Sequence, residues 1–283
     1  MRPRLVLFGD SITELSFASG GWGAALTDRF ARQADVVLRG LSGYNTRWAL
    51  KVLPRAMEGA AGAGAGADPA AVTVFFGAND ASLPDQVQAH QHVPLKEYQS
   101  NLRAICAYFK VMDLSWIRMS WIGRSPIRRL GSSIAGAMAL HCCHTHHSPT
   151  DLRASENPLL CTYDIHVGSS HNTRDMYGDD EPSRQPERSN EAAGAYAQAC
   201  IDVATELNHP VIDIWTKMQE FPDWQTSALS DGLHFTPVGN KILFEEVVKT
   251  LETSIGFSQE RLPSDLPLFH EIDPKDPMKA FGA

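Results

Sequence analysis

Short apolar runs alternate along this chain with longer segments of helical period, and no other feature restricts its fold as much. Residues 5–8, 36–38, 72–76 and 211–215 are short, rich in β-branched or aromatic side chains, and mostly bounded by Gly or Asp. Continuous apolar runs of this kind suit strands covered on both faces. Between them, residues 22–34, 44–57, 95–109 and 190–207 place apolar side chains at helical spacing. A final helix is expected to start at Thr236-Pro237, where Thr can cap free amides and Pro fits the first turn, followed by an apolar stripe of Leu243, Val247 and Leu251. Helices between strands are crossover connections, so the pattern predicts an α/β fold around a parallel sheet.

The length of 283 residues supports one enzyme-sized domain, placed at residues 1–257, and residues 258–283 mix Pro, Asp and Leu without period, as an irregular C-terminal arm would. The formal charge of −8, with Lys and Arg scattered, provides no basic stripe for a polyanion, so nucleic acid is not expected as a partner. The first apolar run is too short for a signal segment, and no run approaches the roughly 20 residues needed to span a bilayer. The expectation is therefore no membrane anchor and a cytoplasmic location. Five cysteines without framework spacing read as reduced thiols. Residues 59–67 alternate Gly and Ala, which reads as a flexible surface connection.

A hydroxyl is a weak nucleophile at neutral pH, and it gains strength from an imidazole base that is itself oriented by a carboxylate. Ser11 follows the first expected strand, at the carboxyl edge where open parallel sheets bind ligands. Asp231-Gly232-Leu233-His234 follows the last, and its spacing lets one turn hold both groups, Asp231 on one ring nitrogen and Ser11 on the other. Donors for a developing oxyanion are offered by the Gly43 backbone amide, after the second strand, and by the Asn79 side chain, after the third. Each group taken singly also reads as ordinary structure: Ser11 and Gly43 as turn residues, Asn79-Asp80 as a helix cap, Asp231 with His234 as a structural turn. Phe17, Trp22 and Tyr44 read equally as apolar lining of an acyl site or as core. A nucleotide-binding reading would rest on Gly20-Gly21-Trp22-Gly23, which stands some ten residues beyond the strand and matches neither common phosphate-loop pattern.

Gly9-Asp10-Ser11, Gly43, Gly77-Ala78-Asn79-Asp80 and Asp231-Gly232-Leu233-His234 occur in this order, each after an expected strand. Together they resemble the four blocks of the SGNH, or GDSL, hydrolase superfamily, and within it the isoamyl-acetate-hydrolysing esterase group with its plant GDSL esterase/lipase members. Further similarity lies in residues 42–47 and 231–240. The resemblance implies a flavodoxin-like three-layer α/β/α sandwich with a central parallel sheet. It also implies a serine ester hydrolase that works through an acyl-enzyme, with no metal, no organic cofactor and a small-molecule ester as its partner. Short-chain carboxylic esters are the expected substrates, with acetylated sugars and thioesters also within the family's range. Carried over position by position, Ser11 is the nucleophile and first oxyanion donor through its own amide, Gly43 the second donor and Asn79 the third, while Asp231 and His234 complete the triad.

The similarity lapses over residues 111–175, where the family has a further central strand and a proline-rich turn. This stretch holds six of the eleven His, three of the five Cys, six Arg and no Lys. Residues 114–122 offer a substitute strand, interrupted by Ser115, Arg118 and Ser120, and residues 134–140 offer another whose Ala and Gly favour strand weakly. His141, Cys142, Cys143, His144, His146 and His147 are capable metal ligands, but adjacent Cys and adjacent His do not match a closed zinc site. The stretch is accordingly read as an atypical insertion or a mis-spliced segment. The second functional reading follows from it: a catalytically silent member, or a defective splice product lacking a central strand. A five-residue buried strand supplies about 10 kcal/mol, comparable with the roughly 5–15 kcal/mol stability of a whole domain.

Overall fold

Residues 5–8 form the centre of β1 (Arg4–Gly9), whose Leu5, Val6, Leu7 and Phe8 are fully buried. Such a strand needs partners on both edges and cover on both faces. It pairs in parallel with β2 (Asp35–Gly40) on one side and β3 (Ala71–Phe75) on the other. The computed structural model describes residues 2–60, 69–122, 159–161 and 187–281, and in it β4 (Leu159–Cys161) and β5 (Val211–Ile212) complete a five-stranded parallel sheet of order β2-β1-β3-β4-β5.

The connecting helices are α1 (Ser11–Glu14), α2 (Trp22–Arg29), α3 (Thr46–Ala56), α4 (Leu95–Ile122), α5 (Asn190–Leu207), α6 (Ile214–Gln219), α7 (Trp224–Ser227) and α8 (Pro237–Thr250). Helices α3, α4 and α5 pack in series as one layer and α2, α8 and α6 as the other, which makes a three-layer α/β/α sandwich. The aromatic residues at the end of β3 serve both layers because consecutive side chains in an extended segment point to opposite faces. Phe76 meets Phe8 edge-on at 4.8 Å, and Phe75 meets Trp22 at 6.4 Å. Helix starts are capped as their sequences suggest. Ser189 accepts from the Ala192 amide at α5, and Thr236 accepts from Gly239 at α8, with Pro237 in the first turn.

Several expectations need correction. Residues 114–122 are not a strand but the continuation of α4, which runs to Ile122. The place beside β3 is filled by β4, with Leu159 opposite Thr73 and Leu160 opposite Val74. The central strand whose loss underlay the silent reading is therefore present in the sheet, supplied by residues that periodicity did not single out. The last strand stops at Ile212, because the Asp213 carboxylate accepts from the Thr216 amide and opens α6, which takes Ile214 and Trp215 into a helix. The Gly-Ala stretch begins packed: Ala60 is buried and its carbonyl accepts from Arg4 at 3.2 Å. Residues 61–68, residues 134–140 and the cluster from His141 to His147 lie outside the described residues.

Beyond α8 the chain turns back over α2. Phe257 packs on Phe30 at 5.0 Å, the Gln33 amide donates to the carbonyls of Gln259 and Leu262 at 2.7 Å each, and Asp265 pairs with Arg2 at 2.6 Å.

Candidate active site

Strand register gathers the first three loops. At the carboxyl end of β1, Gly9 stands opposite Gly40 of β2 and Phe75 of β3. Ser11, Gly43 and Asn79 all follow closely on this row. The row is closed by two loop hydrogen bonds, from the Asp10 amide to the Phe75 carbonyl at 3.2 Å and from the Leu41 amide to the Gly9 carbonyl at 2.8 Å. Ser11 is buried and begins α1, where the Asp10 carboxylate accepts from the Ile12 amide at 3.1 Å. Fully buried Trp22 donates its indole N–H to the Ile12 carbonyl at 3.2 Å, which fixes this turn from the α2 side.

The other half of the site comes from the segment before α8. An antiparallel bridge between Leu229 and Phe235 and a bond from the Ser230 amide to the His234 carbonyl at 2.8 Å close a tight loop around Asp231 and His234. Gly232 turns it with φ of +83°, a region that side chains with a Cβ rarely adopt. One Asp231 oxygen accepts the amides of Leu233 and His234 at 2.9 and 2.7 Å, and the other lies 2.6 Å from His234 Nδ1. His234 Nε2 lies 2.9 Å from Ser11 Oγ. An ionised carboxylate only accepts, so the proton between them belongs to Nδ1, and Nε2 is left to accept from the Ser11 hydroxyl. Burial would raise the Asp231 carboxyl, but its bonds to His234 and to the loop amides outweigh burial and hold it below the usual carboxylate range. Ser11, His234 and Asp231 thus form one continuous hydrogen-bonded line.

The two expected loop donors, Gly43 and Asn79, lie in the loops after β2 and β3. Gly43 has φ of +77°, and the neighbouring Ser42 amide is held at 2.7 Å by the Glu14 carboxylate. Asn79 Nδ2 gives one hydrogen to the Tyr44 carbonyl at 2.9 Å, tying the third loop to the second. Among the described residues, no acceptor is present for the amides of Ser11 and Gly43 or for the second Nδ2 hydrogen of Asn79. Beneath them, Asp80 takes the Thr46 amide at 3.0 Å and the Thr46 hydroxyl. Burial pushes Asp80 and Asp10 up to about 7 each; for Asp10, the Ile12 amide and the charges of His234 and Arg188 pull the other way.

A serine, a histidine and an aspartate in line at the carboxyl edge of a parallel sheet form a hydrolase arrangement. The family model for GDSL-like lipases/acylhydrolases matches residues 5–247. The chain belongs to this family. It is 47% identical over 281 residues to a GDSL esterase/lipase of Arabidopsis thaliana, covering 99% of this chain and 98% of the relative. It is 38% identical over 271 residues to the human isoamyl acetate-hydrolyzing esterase 1 homolog, covering 95% and 88%. Among solved structures, a lipase/acylhydrolase from Enterococcus faecalis matches with a TM-score of 0.55 at 22% identity, covering 94% of this chain and all of that one, and supports the fold. This GDSL family member is a carboxylic-ester hydrolase acting on small-molecule esters.

Several groups that shape the site were not marked in the sequence. Arg188, Gln91 and Glu14 bond to the donor loops, yet none stands in a recognisable block. The only local signal was at Arg188, which directly precedes the Ser189 cap of α5. Of the three candidate acyl-site residues, Trp22 is core, Tyr44 is partly buried with its ring edge-on to Trp48 at 5.9 Å, and Phe17 is 41% exposed. Gly21 and Trp22 lead into α2, with the Trp22 amide donating to Asn240 of α8, so the glycine cluster is packed against a helix. Among the described residues, no cluster of His, Cys, Asp or Glu could hold a metal ion, and no helix is long and apolar enough to cross a membrane.

Proposed function

We propose that this esterase cleaves short-chain carboxylic esters by double displacement through an acyl-enzyme on Ser11. The observation that carries this reading is the line from Ser11 Oγ to His234 Nε2 at 2.9 Å and from His234 Nδ1 to Asp231 at 2.6 Å. As Ser11 Oγ attacks the ester carbonyl, its proton passes to His234 Nε2, and the Asp231 carboxylate stabilises the resulting imidazolium. The carbonyl oxygen becomes an oxyanion facing the amides of Ser11 and Gly43 and the free Nδ2 hydrogen of Asn79. Collapse breaks the bond to the leaving alkoxide, which takes the proton from His234. Water then gives a proton to His234 and attacks the acyl group, and return of that proton to Ser11 Oγ releases the acid.

Short acyl chains are supported by the animal relatives, which are named for isoamyl acetate, an acetyl ester. A fluorophosphonate probe tests the nucleophile: labelling mapped to Ser11, and lost in Ser11→Ala with unchanged circular dichroism, is the expected result. Turnover that survives in Ser11→Ala refutes the assignment. A p-nitrophenyl ester series tests the acyl chain, with acetate and butyrate expected to exceed palmitate in kcat/KM; the reverse order refutes the short-chain reading.

A further inference from the structure

We propose that Arg188 is a positioning residue of the oxyanion hole, orienting the Asn79 amide directly and the Gly43 loop through Gln91. The proposal rests on the reading of Asn79 and Gly43 as oxyanion donors and adds what holds them there. Arg188 Nε donates to the Ala78 carbonyl at 2.9 Å, while Nη2 donates to Asn79 Oδ1 at 3.2 Å and to Gln91 Oε1 at 2.8 Å. Gln91 is buried and passes the restraint on. Its Nε2 donates to the Gly43 carbonyl at 3.1 Å, and its own carbonyl accepts from Asn45 Nδ2 at 2.8 Å. One guanidinium therefore touches the loop after β3 twice and reaches the loop after β2 through a single side chain.

Two physical consequences follow. Asn79 is engaged at both ends of its amide, by Arg188 at Oδ1 and by the Tyr44 carbonyl at Nδ2. A flipped amide would set N–H against N–H and carbonyl against carbonyl, so only one orientation is available, and in it the remaining N–H is free for substrate. A cation on Oδ1 also polarises the amide, which strengthens its N–H as a donor to a developing negative charge. A planar fork is needed for three bonds to three acceptors, and a lysine ammonium on a flexible stem does not provide one.

Arg188 is itself held in place. The adjacent Glu187 carbonyl accepts from the Leu83 amide, and its carboxylate accepts from the Gln88 amide, each at 2.8 Å, while Ser189 caps α5. The latch joins the start of α5 to the loop after β3, so the helix that precedes β5 also helps shape the donors that follow β3.

The test is a double-mutant cycle on the full-length chain, with p-nitrophenyl acetate as substrate. Arg188→Ala is expected to lower kcat about 100-fold while KM changes less than about threefold, because misplaced donors weaken the transition state and not ground-state binding. Asn79→Ala alone is expected to lower kcat by roughly 100- to 1,000-fold. The deciding quantity is the double variant: if Arg188 acts through Asn79, removing it from the Asn79→Ala background costs less than about tenfold more. Arg188→Lys is expected to stay at least about tenfold below wild type, and guanidinium added to Arg188→Ala to recover part of kcat. Circular dichroism and melting check folding, and if Arg188→Ala does not fold, Arg188→Lys carries the cycle. A slow Asn79→Ala on which the Arg188 effect is fully additive overturns the positioning of Asn79 by Arg188 and leaves the donor reading intact. Wild-type kcat in Asn79→Ala instead removes the donor reading, and the proposal with it.

Discussion

Asp231→Asn separates the chemistry of the site from its shape. The substituted side chain keeps the outline of aspartate, and its carbonyl oxygen can still take the amides of Leu233 and His234 that now bond at 2.9 and 2.7 Å. Its amide group then faces His234 Nδ1 and donates where the carboxylate accepted at 2.6 Å. The ring answers by carrying its proton on Nε2, the atom 2.9 Å from Ser11 Oγ, so the base is blocked at the only position from which it can act. Restoring the productive tautomer sets N–H against N–H, at a cost of about 2 kcal/mol for the lost charged hydrogen bond. The imidazolium formed during attack also loses its counter-charge, worth about 4 kcal/mol at 4 Å and an effective dielectric near 20. The combined effect of about 6 kcal/mol corresponds to a loss of roughly 10⁴-fold in kcat. Initial rates on p-nitrophenyl acetate, with circular dichroism and a urea melt as controls, measure it. A folded Asp231→Asn enzyme that keeps a tenth or more of wild-type kcat refutes this account of the His234 tautomer.

Gly43→Ala places a Cβ at φ of +77°, with an expected destabilisation of about 1–2 kcal/mol by urea melt and a fall in kcat of at least about tenfold as the loop shifts. Unchanged kcat would refute the expected loop shift, because alanine keeps the backbone N–H. Trp22→Phe leaves the buried Ile12 carbonyl without its indole partner and opens a small void, at an expected cost of about 2–4 kcal/mol in a urea melt. An unchanged midpoint would show that the indole does not hold the Ser11 turn. Asp80 gives a pH dependence. An unfolded carboxyl titrates at about 4, whereas burial raises Asp80 to about 7, against the pull of the Thr46 bonds and with the added push of Asp10. Between those values the folded state keeps a proton that the unfolded state has released, so this contribution to stability is lost as pH rises. From pH 5 to pH 7, wild type is expected to lose about 2 kcal/mol relative to Asp80→Asn in urea melts. His209, lowered by burial, acts in the opposite sense in both proteins and cancels in the comparison. A constant gap would show that Asp80 is ionised in the fold.

Part of this fold is written locally. Apolar runs and helical periods located β1, β2 and β3, and α5 spans Asn190–Leu207 as its period indicated, because caps and amphipathic spacing act within one or two turns of the chain. The groups of the site were legible for the same reason, since strand-end glycines and an Asp-Gly-Leu-His turn express their geometry in neighbouring residues. Distant partners settle the rest. Residues 159–161 become a strand because the edge of β3 offers them a ladder, and three residues carry no period of their own. Residues 214–215 continued an apolar run, yet the Asp213 carboxylate turned them into a helix. Arg188 bonds to Gln91 and Asn79 from about a hundred residues away. Such contacts exist only after the sheet has brought the chain ends together, and an arginine outside any motif leaves no trace of them in the sequence.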